Sequence, residues 1–419
     1  MFEDIEPMTG AKKVSESYLF SLILIAAILL GGLTGCFFSQ ATHYLKPFGD
    51  LFLNLIFTAI VPLIFFSVSS AIARIGSMGQ LSKIAFYMTI TFLFTGIIAA
   101  IYALFVVNLF PPAQNVVLPL TVSTKTSTLS FLDQIPEIFT VSEFSHLLSH
   151  KHILALIVFS IFVGLGASNT HENRKQCADF LQAGEEIFMR VFTLIMYYAP
   201  LGFFAYFAVL VHDLGPQLMT NYLRVGILYY SFGLIYFILI NTFFAYLAGK
   251  TQGIRLFWRN IFLPAVTSIA TCSSAASIPA NLIAVKKMKV APEIYETVIP
   301  LGTIIHKDGS VIGGVFKIAF LFGIFHLNFS EPSVLLSALG VSLLVGTVMG
   351  AIPSGGMLGE LLILSVYGFP PSVLMIIAAI SIIIDPLATM LNVTCNSVSC
   401  MMIARFVEGK KWFTHSTSR

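Results

Sequence analysis

Residues 267–281 read T-S-I-A-T-C-S-S-A-A-S-I-P-A-N. They sit inside an uncharged run, 261–285, that is long enough to cross a bilayer. The run is nevertheless a poor lipid-facing helix. Small hydroxyl residues and Pro279 break a helix, and the freed backbone groups need partners. At membrane depth, broken backbone persists only where protein or a watery cavity covers it. A second segment of this kind runs over 332–370, with G-A-I-P-S-G-G at 350–356. A span holding ionisable or amide groups follows each segment, 297–325 after the first and 372–405 after the second. The C-terminal part therefore reads twice as a broken hairpin and then a polar-cored helix. Paired interruptions at corresponding positions are the sequence mark of a transporter's binding site. The alternative is helix packing through small residues.

The rest of the chain supplies the membrane context. Of 419 residues, 57% are hydrophobic and 10% charged, where a soluble domain carries about 25% charged. Such a chain has the bilayer as its solvent. Apolar runs at 18–38, 51–73, 84–109, 153–167 and 225–249 read as spans, and 178–211 as a longer one interrupted by Pro200. The mixed stretch 111–151 is polar enough to lie largely outside the hydrocarbon. The first run is read as a retained helix, since no small-residue cleavage site follows it. The net charge of +3 gives no indication of nucleic acid. Five cysteines without paired spacing give neither a disulfide framework nor a zinc site.

Basic residues set the topology. With the N-terminus cytoplasmic, and with both broken segments entering and leaving on their own side, sixteen Lys and Arg fall on the cytoplasmic side. Four fall opposite, Lys46, Lys125, Lys151 and Arg224. Treating each broken segment as a single crossing moves Lys286, Lys287 and Lys289 outward, so the charge balance favours re-entrance. The reading has both termini cytoplasmic in a plasma (inner) membrane.

In the last helix Asp385, Thr389, Asn392 and Asn396 recur at i, i+4, i+7 and i+11, one polar stripe at helical period. An ionised Asp at the centre of a membrane helix costs about 2.5–3.5 kcal/mol, so the stripe faces protein or a cavity. The structural alternative is a hydrogen-bonded helix interface. In the preceding span His306, Lys307 and Asp308 stand together, with Gly309 after them. Adjacent helical residues point in different directions, so three polar groups in a row imply an unwound segment, which Gly309 permits. Unwound carbonyls bind cations and unwound amides bind anions. The alternative is a self-neutralising Lys307–Asp308 pair. Glu360 is a third buried acid, a proton carrier, a side chain that snorkels, or a partner of Lys317. Cys272 and Cys395 read as small packing residues.

Four motifs in order carry a family resemblance. They are Ser273-Ser274-Ala275-Ala276-Ser277-Ile278-Pro279-Ala280, His306-Lys307-Asp308-Gly309-Ser310, Ala351-Ile352-Pro353-Ser354-Gly355-Gly356, and Asp385 with Ala388, Thr389, Asn392, Val393, Cys395 and Asn396. Over about 18–408 the chain resembles the dicarboxylate/amino acid:cation symporters, the glutamate-transporter fold, whose patterns there are S-S-S-x-T-L-P-V, N-M-D-G-T, G-V-P-G-x-G and D-x-x-R-T-x-x-N-V-x-G-D. The resemblance implies an all-α membrane protein with eight transmembrane helices, two re-entrant hairpins and a homotrimeric assembly. It implies a cytoplasmic N-terminus at 1–17 and mainly scaffold and trimerisation helices at 18–250, with the third helix contributing to transport. A transport core at 251–408 slides in an elevator motion, and 409–419 form a cytoplasmic tail. Substrate would meet Ser273, Ser274, Ser310, Pro353, Ser354, Gly355, Asp385, Thr389 and Asn392. Ion coupling would involve Thr91, His306, Lys307, Asp308, Glu360 and Asn396.

The departures narrow the expected cargo. The aspartate that grips an amino group is present as Asp385, and the threonine and asparagine that hold an α-carboxylate are Thr389 and Asn392. The arginine that grips an acidic side chain is Ala388, and Cys272 stands where some members carry an arginine in the first hairpin. The third-helix pattern Y-x-x-T-S reads Met88-Thr89-Ile90-Thr91-Phe92, the closing aspartate is Asn396, and Asn and Met of N-M-D-G-T are His306 and Lys307. The expectation is a carrier for a small, neutral amino acid, with sodium coupling altered or absent, no cofactor and no enzyme activity. Lys307 would substitute for a bound sodium and neutralise Asp308. The second expectation is a dicarboxylate or acidic amino acid held by Lys307 or His306. A third, of another class, is an anion channel. Cysteines introduced at Arg259 and Lys286, on either side of the first broken segment, are expected to label from the same face of the membrane; labelling from opposite faces would end the re-entrant reading.

Overall fold

The computed structural model describes residues 10–76, 82–113, 140–149, 152–170, 173–214, 217–348, 356–410 and 412–414, and every regular element among them is helical. Apart from short turns at Phe144–Leu147, Pro371–Val373 and Trp412–Thr414, in order these are α1 (Gly10–Phe37), α2 (Ser39–Gly76), α3 (Ser82–Leu109), α4 (Ile153–Ser168), α5 (Arg174–Met196), α6 (Ala199–Leu214) and α7 (Gln217–Asn260). Then come α8 (Phe262–Thr271), α9 (Ile278–Lys287), α10 (Pro292–Ile305), α11 (Asp308–Ile324), α12 (Pro332–Val348), α13 (Gly356–Tyr367) and α14 (Leu374–Glu408). Among the described residues four helical stretches are long and apolar enough to cross a bilayer, Thr42–Ala73, Lys83–Leu109, Leu218–Asn260 and Pro371–Glu408. The pair α5 and α6 makes a fifth if its 56° bend is one broken span. That bend falls just before Pro200, which takes the first turn of α6, where a missing N–H costs nothing.

The helices pack in two groups. In the first, α1 lies on α6, and α2 on α4, α5 and α6. Gly31 and Gly35, one turn apart on α1, face the α6 backbone at Phe204 and Ala208, with no room for a Cβ at either. Small residues at this spacing let membrane helices approach closely. In the second group α14 lies at the centre, touched by α3, α7, α8, α10, α11 and α13. Its most apolar window is 72% buried within the protein, against 22% for α7. So α14 is the core helix, while α7 is fully buried along only part of its length.

The run expected to end at residue 249 does break there. Gly249 and Lys250 leave helical geometry, with Lys250 at φ 51°. A break strips the preceding carbonyls of their partners. Two are recovered from the far end of the chain: Arg405 donates to the Leu247 carbonyl, and Trp412 Nε1 donates to Ala248 O at 2.8 Å. The 261–285 run also breaks. α8 ends at Cys272, which sits in the left-handed region at φ 45°, and α9 opens with Pro279 in its first turn. The two arms touch each other and both touch α14.

Between α10 and α11 the backbone is extended at His306 (φ −123°, ψ 108°) and Lys307 (φ −144°, ψ 73°). The unwinding expected around 306–308 is therefore present, but Gly309 is not its cause. Gly309 is helical, and a Cβ there would strike the Ala388 carbonyl and Leu391. Its smallness serves the contact with α14. Trp412→Phe removes the donor to Ala248 O and leaves a buried carbonyl unpaired. The expected loss is about 1–3 kcal/mol, read as a lower unfolding temperature of purified protein in detergent.

Candidate functional site

The break at 306–307 and the polar stripe of α14 meet. Asn392 Oδ1 accepts the Ser310 backbone amide at 3.1 Å, and its Nδ2 donates to Ser310 Oγ at 3.2 Å. One turn earlier Thr389 Oγ1 donates to Asp385 Oδ1 at 3.3 Å. Thr389, Asn392 and Asn396 are all buried, and Asp385 is partly so. Asn396 Nδ2 reaches Ile299 O at 3.1 Å, while its Oδ1 lies against Gly302 with no hydrogen-bond partner among the described residues. The stripe thus runs beside α10, across the break and onto α11.

Asp308 opens α11 and is fully buried. Its Oδ1 lies 3.2 Å from His306 Nε2 and 3.5 Å from Thr95 Oγ1, and its Oδ2 accepts from the Tyr236 hydroxyl at 3.3 Å. His306 Nε2 is also 2.7 Å from Thr95 Oγ1, and its ring stacks on Phe92 with centroids 4.1 Å apart and planes 3° apart. The carbonyl of Gly309 accepts from Tyr229 at 2.8 Å. Lys307 does not pair with Asp308, contrary to the sequence expectation. Its buried ammonium has no hydrogen-bond partner among the described residues and interacts electrostatically with Asp385. An extended residue points away from its neighbour, and this leaves Asp308 to His306.

Glu360 has Lys317 as its partner. Lys317 Nζ lies 2.6 Å from Glu360 Oε1, both side chains being at most 3% exposed, and Ser381 Oγ donates to the same oxygen. This triad ties α13 to α11 and to α14, one turn from Asp385. Thr91 is buried, but its hydroxyl finds no partner among the described residues. Thr95, a turn further on, is the hydroxyl that reaches Asp308.

The first break is fastened by a residue outside the sequence selection. Asn281 on α9 donates to Val393 O at 3.2 Å and accepts from Ser397 Oγ. Ser273 Oγ instead accepts the Ala276 amide at 3.2 Å, and the Ser274 carbonyl accepts the Ser277 amide at 3.2 Å. Both serines close their own turn and make no described bond to the stripe. Pro353, Ser354 and Gly355 lie outside the described residues. A cavity of about 390 Å³ opens between the two helix groups. His306, Lys307 and Asp308 line one side of it; Ser67 of α2, Phe92 of α3, Ile161 of α4 and Leu343 of α12 line others.

A family model described as the sodium:dicarboxylate symporter family matches residues 19–406. The chain belongs to that family. It is 27% identical over 401 residues to a proton/sodium-glutamate symport protein of Bacillus caldotenax, covering 91% of this chain and 93% of the relative. It is 24% identical to a proton/glutamate-aspartate symporter of Bacillus subtilis (94% and 97% covered) and to a C4-dicarboxylate transport protein of Pseudomonas syringae pv. syringae (96% and 90%). The protein is therefore a multi-pass membrane transporter of the symporter class and not an enzyme.

In this family member the Lys317–Glu360 pair is a sharp test of the core. Lys317→Met alone strands a buried carboxylate and is expected to cost about 3–5 kcal/mol. Lys317→Met with Glu360→Leu removes both charges and is expected to recover most of that loss. Equal unfolding temperatures for the single and double variants would contradict the pairing.

Proposed function

We propose that this symporter-family member carries a small neutral amino acid by an elevator motion. The proposed architecture is eight spans with two re-entrant hairpins, assembled as a homotrimer with both termini cytoplasmic. The moving unit takes in 251–408 with α3, and α7 travels with it, since its hydrogen bonds run to Asp308, Gly309 and α14. One observation carries the substrate reading. Asp385, Thr389 and Asn392 form one polar stripe that meets the break at Ser310, and Ala388 stands among them. Asp385 offers an anion to an α-ammonium. Asn392, Thr389 and the Ser310 hydroxyl offer hydrogen bonds to an α-carboxylate. Ser273 and Ser274 of the first broken segment are proposed to meet the substrate as well.

An acidic side chain would enter without a guanidinium at 388 and would lose its hydration uncompensated. A second reading is favoured by one specific feature, the buried Lys307 ammonium without a hydrogen-bond partner among the described residues. It would hold a second carboxylate, in keeping with the glutamate and C4-dicarboxylate relatives. In both readings we infer that uptake follows a proton gradient or exchange rather than sodium.

The deciding experiment is ligand stabilisation of purified protein against amino acids and dicarboxylates, followed by counterflow in proteoliposomes. Neutral amino acids are expected to stabilise and to exchange saturably, which a channel does not do. Asp385→Asn is expected to weaken binding about 10- to 100-fold. A charge-assisted hydrogen bond is worth about 1.5–3 kcal/mol, and each factor of ten is roughly 1.4 kcal/mol. Preference for succinate or aspartate, abolished in Lys307→Met, would replace the first reading with the second.

A further inference from the structure

The family's name carries sodium, and a buried sodium needs oxygen lone pairs and a nearby anion. Three carboxylates lie in the polar core. Glu360 is taken by Lys317 at 2.6 Å, and Asp385 lies on the substrate stripe with Thr389. Asp308 is the remaining anion, and the groups around it do not fit a cation. Its two oxygens meet the His306 ring nitrogen at 3.2 Å and the Tyr236 hydroxyl at 3.3 Å. His306 Nε2 has two acceptors in reach, Asp308 Oδ1 and Thr95 Oγ1 at 2.7 Å. That pair of acceptors assigns the ring proton to Nε2. The Thr95 hydroxyl then turns its own proton to the Phe92 carbonyl at 3.2 Å or to Asp308 at 3.5 Å. The close groups thus present hydrogens, not lone pairs, to the carboxylate.

The imidazole is also held in place. Phe92 stacks flat on it at 4.1 Å, the ring is 3% exposed, and its backbone amide is bonded to Gly302 O at 2.9 Å. A cation entering beside Asp308 would have to expel this ring, and it would then meet an aromatic face. We propose that the His306 imidazole is the resident counter-group of Asp308 and that this transporter binds no sodium at that carboxylate. Three side chains act together: His306 supplies the donor, Phe92 the wall and Thr95 the second acceptor that fixes the ring. This deepens the coupling part of the function proposed above and rests on it for its meaning. Its test reads ion binding and not uptake, so the two fail separately.

Protein labelled with isotope-enriched histidine gives a local readout, the side-chain nitrogen signals of His306, assigned by their loss in His306→Gln. Replacing choline chloride by sodium chloride at constant ionic strength is expected to leave those signals unmoved. A saturable shift with sodium would overturn the proposal. In the triple variant Phe92→Ser, His306→Asn, Lys307→Met, oxygen donors replace the wall and the ring, and the ammonium is gone. Its unfolding temperature is expected to rise saturably with sodium over choline. A folded triple variant indifferent to sodium would also overturn the proposal, because the ring would then not be what excludes the ion.

Discussion

Asn392 holds Ser310 by both its backbone amide and its hydroxyl, and the arrangement of the polar core depends on that double bond. The chain between α10 and α11 is extended for two residues in surroundings with little water. Each peptide group freed there needs a partner from elsewhere in the fold. The His306 amide closes the last turn of α10 on Gly302 O, Asn392 takes the amide of Ser310 freed at the start of α11, and Tyr229 adds a donor to the Gly309 carbonyl. With these satisfied, the break is a built feature rather than a frayed end. It sets Asp308 against α3 and α7, and it leaves Lys307 beside the cavity between the helix groups. Gly309 makes the contact possible, because any side chain there would push α11 off the α14 backbone.

Burial sorts the charged groups into two kinds. Lys317 and Glu360 neutralise each other within hydrogen-bond distance and share Ser381, so they hold three helices together without needing a ligand. Removing one partner of such a pair is far more damaging than removing both. Lys307 and Asp385 are different. Asp385 has the Thr389 hydroxyl, Lys307 has no hydrogen-bond partner among the described residues, and the two interact only through their charge. The Lys317–Glu360 pair is thus closed on itself, while Lys307 and Asp385 are not.

The last helix, the first broken segment and the unwound 306–307 stretch were readable because their signals are local, while the second segment's 350–355 lies outside the described residues. A stripe at 385, 389, 392 and 396 follows from helical period alone. Hydroxyl-rich runs with proline mark interrupted helices, and three adjacent polar residues in an apolar span mark unwound backbone. The break at 249–250 was readable as the end of an uncharged run, although the donors that seal it, Arg405 and Trp412, lie more than 150 residues away.

Partner choice was not local, and there the tertiary structure decided. The third helix offers Thr89, Thr91 and Thr95, and only packing against the break selects Thr95 for Asp308. Lys307 is next to Asp308 in sequence, yet extended backbone sends the two side chains apart and gives Asp308 to His306 and Tyr236. Asn281 drew no attention as an isolated amide, but it fastens the first break to α14. The sequence by itself determined a membrane-embedded helical chain with a broken 261–285 run and a polar last helix, because hydrophobic length and period act within one segment. Which donor meets which acceptor was decided only by the tertiary structure, because buried polar groups must be satisfied by whichever neighbours the packed helices bring within about 3 Å.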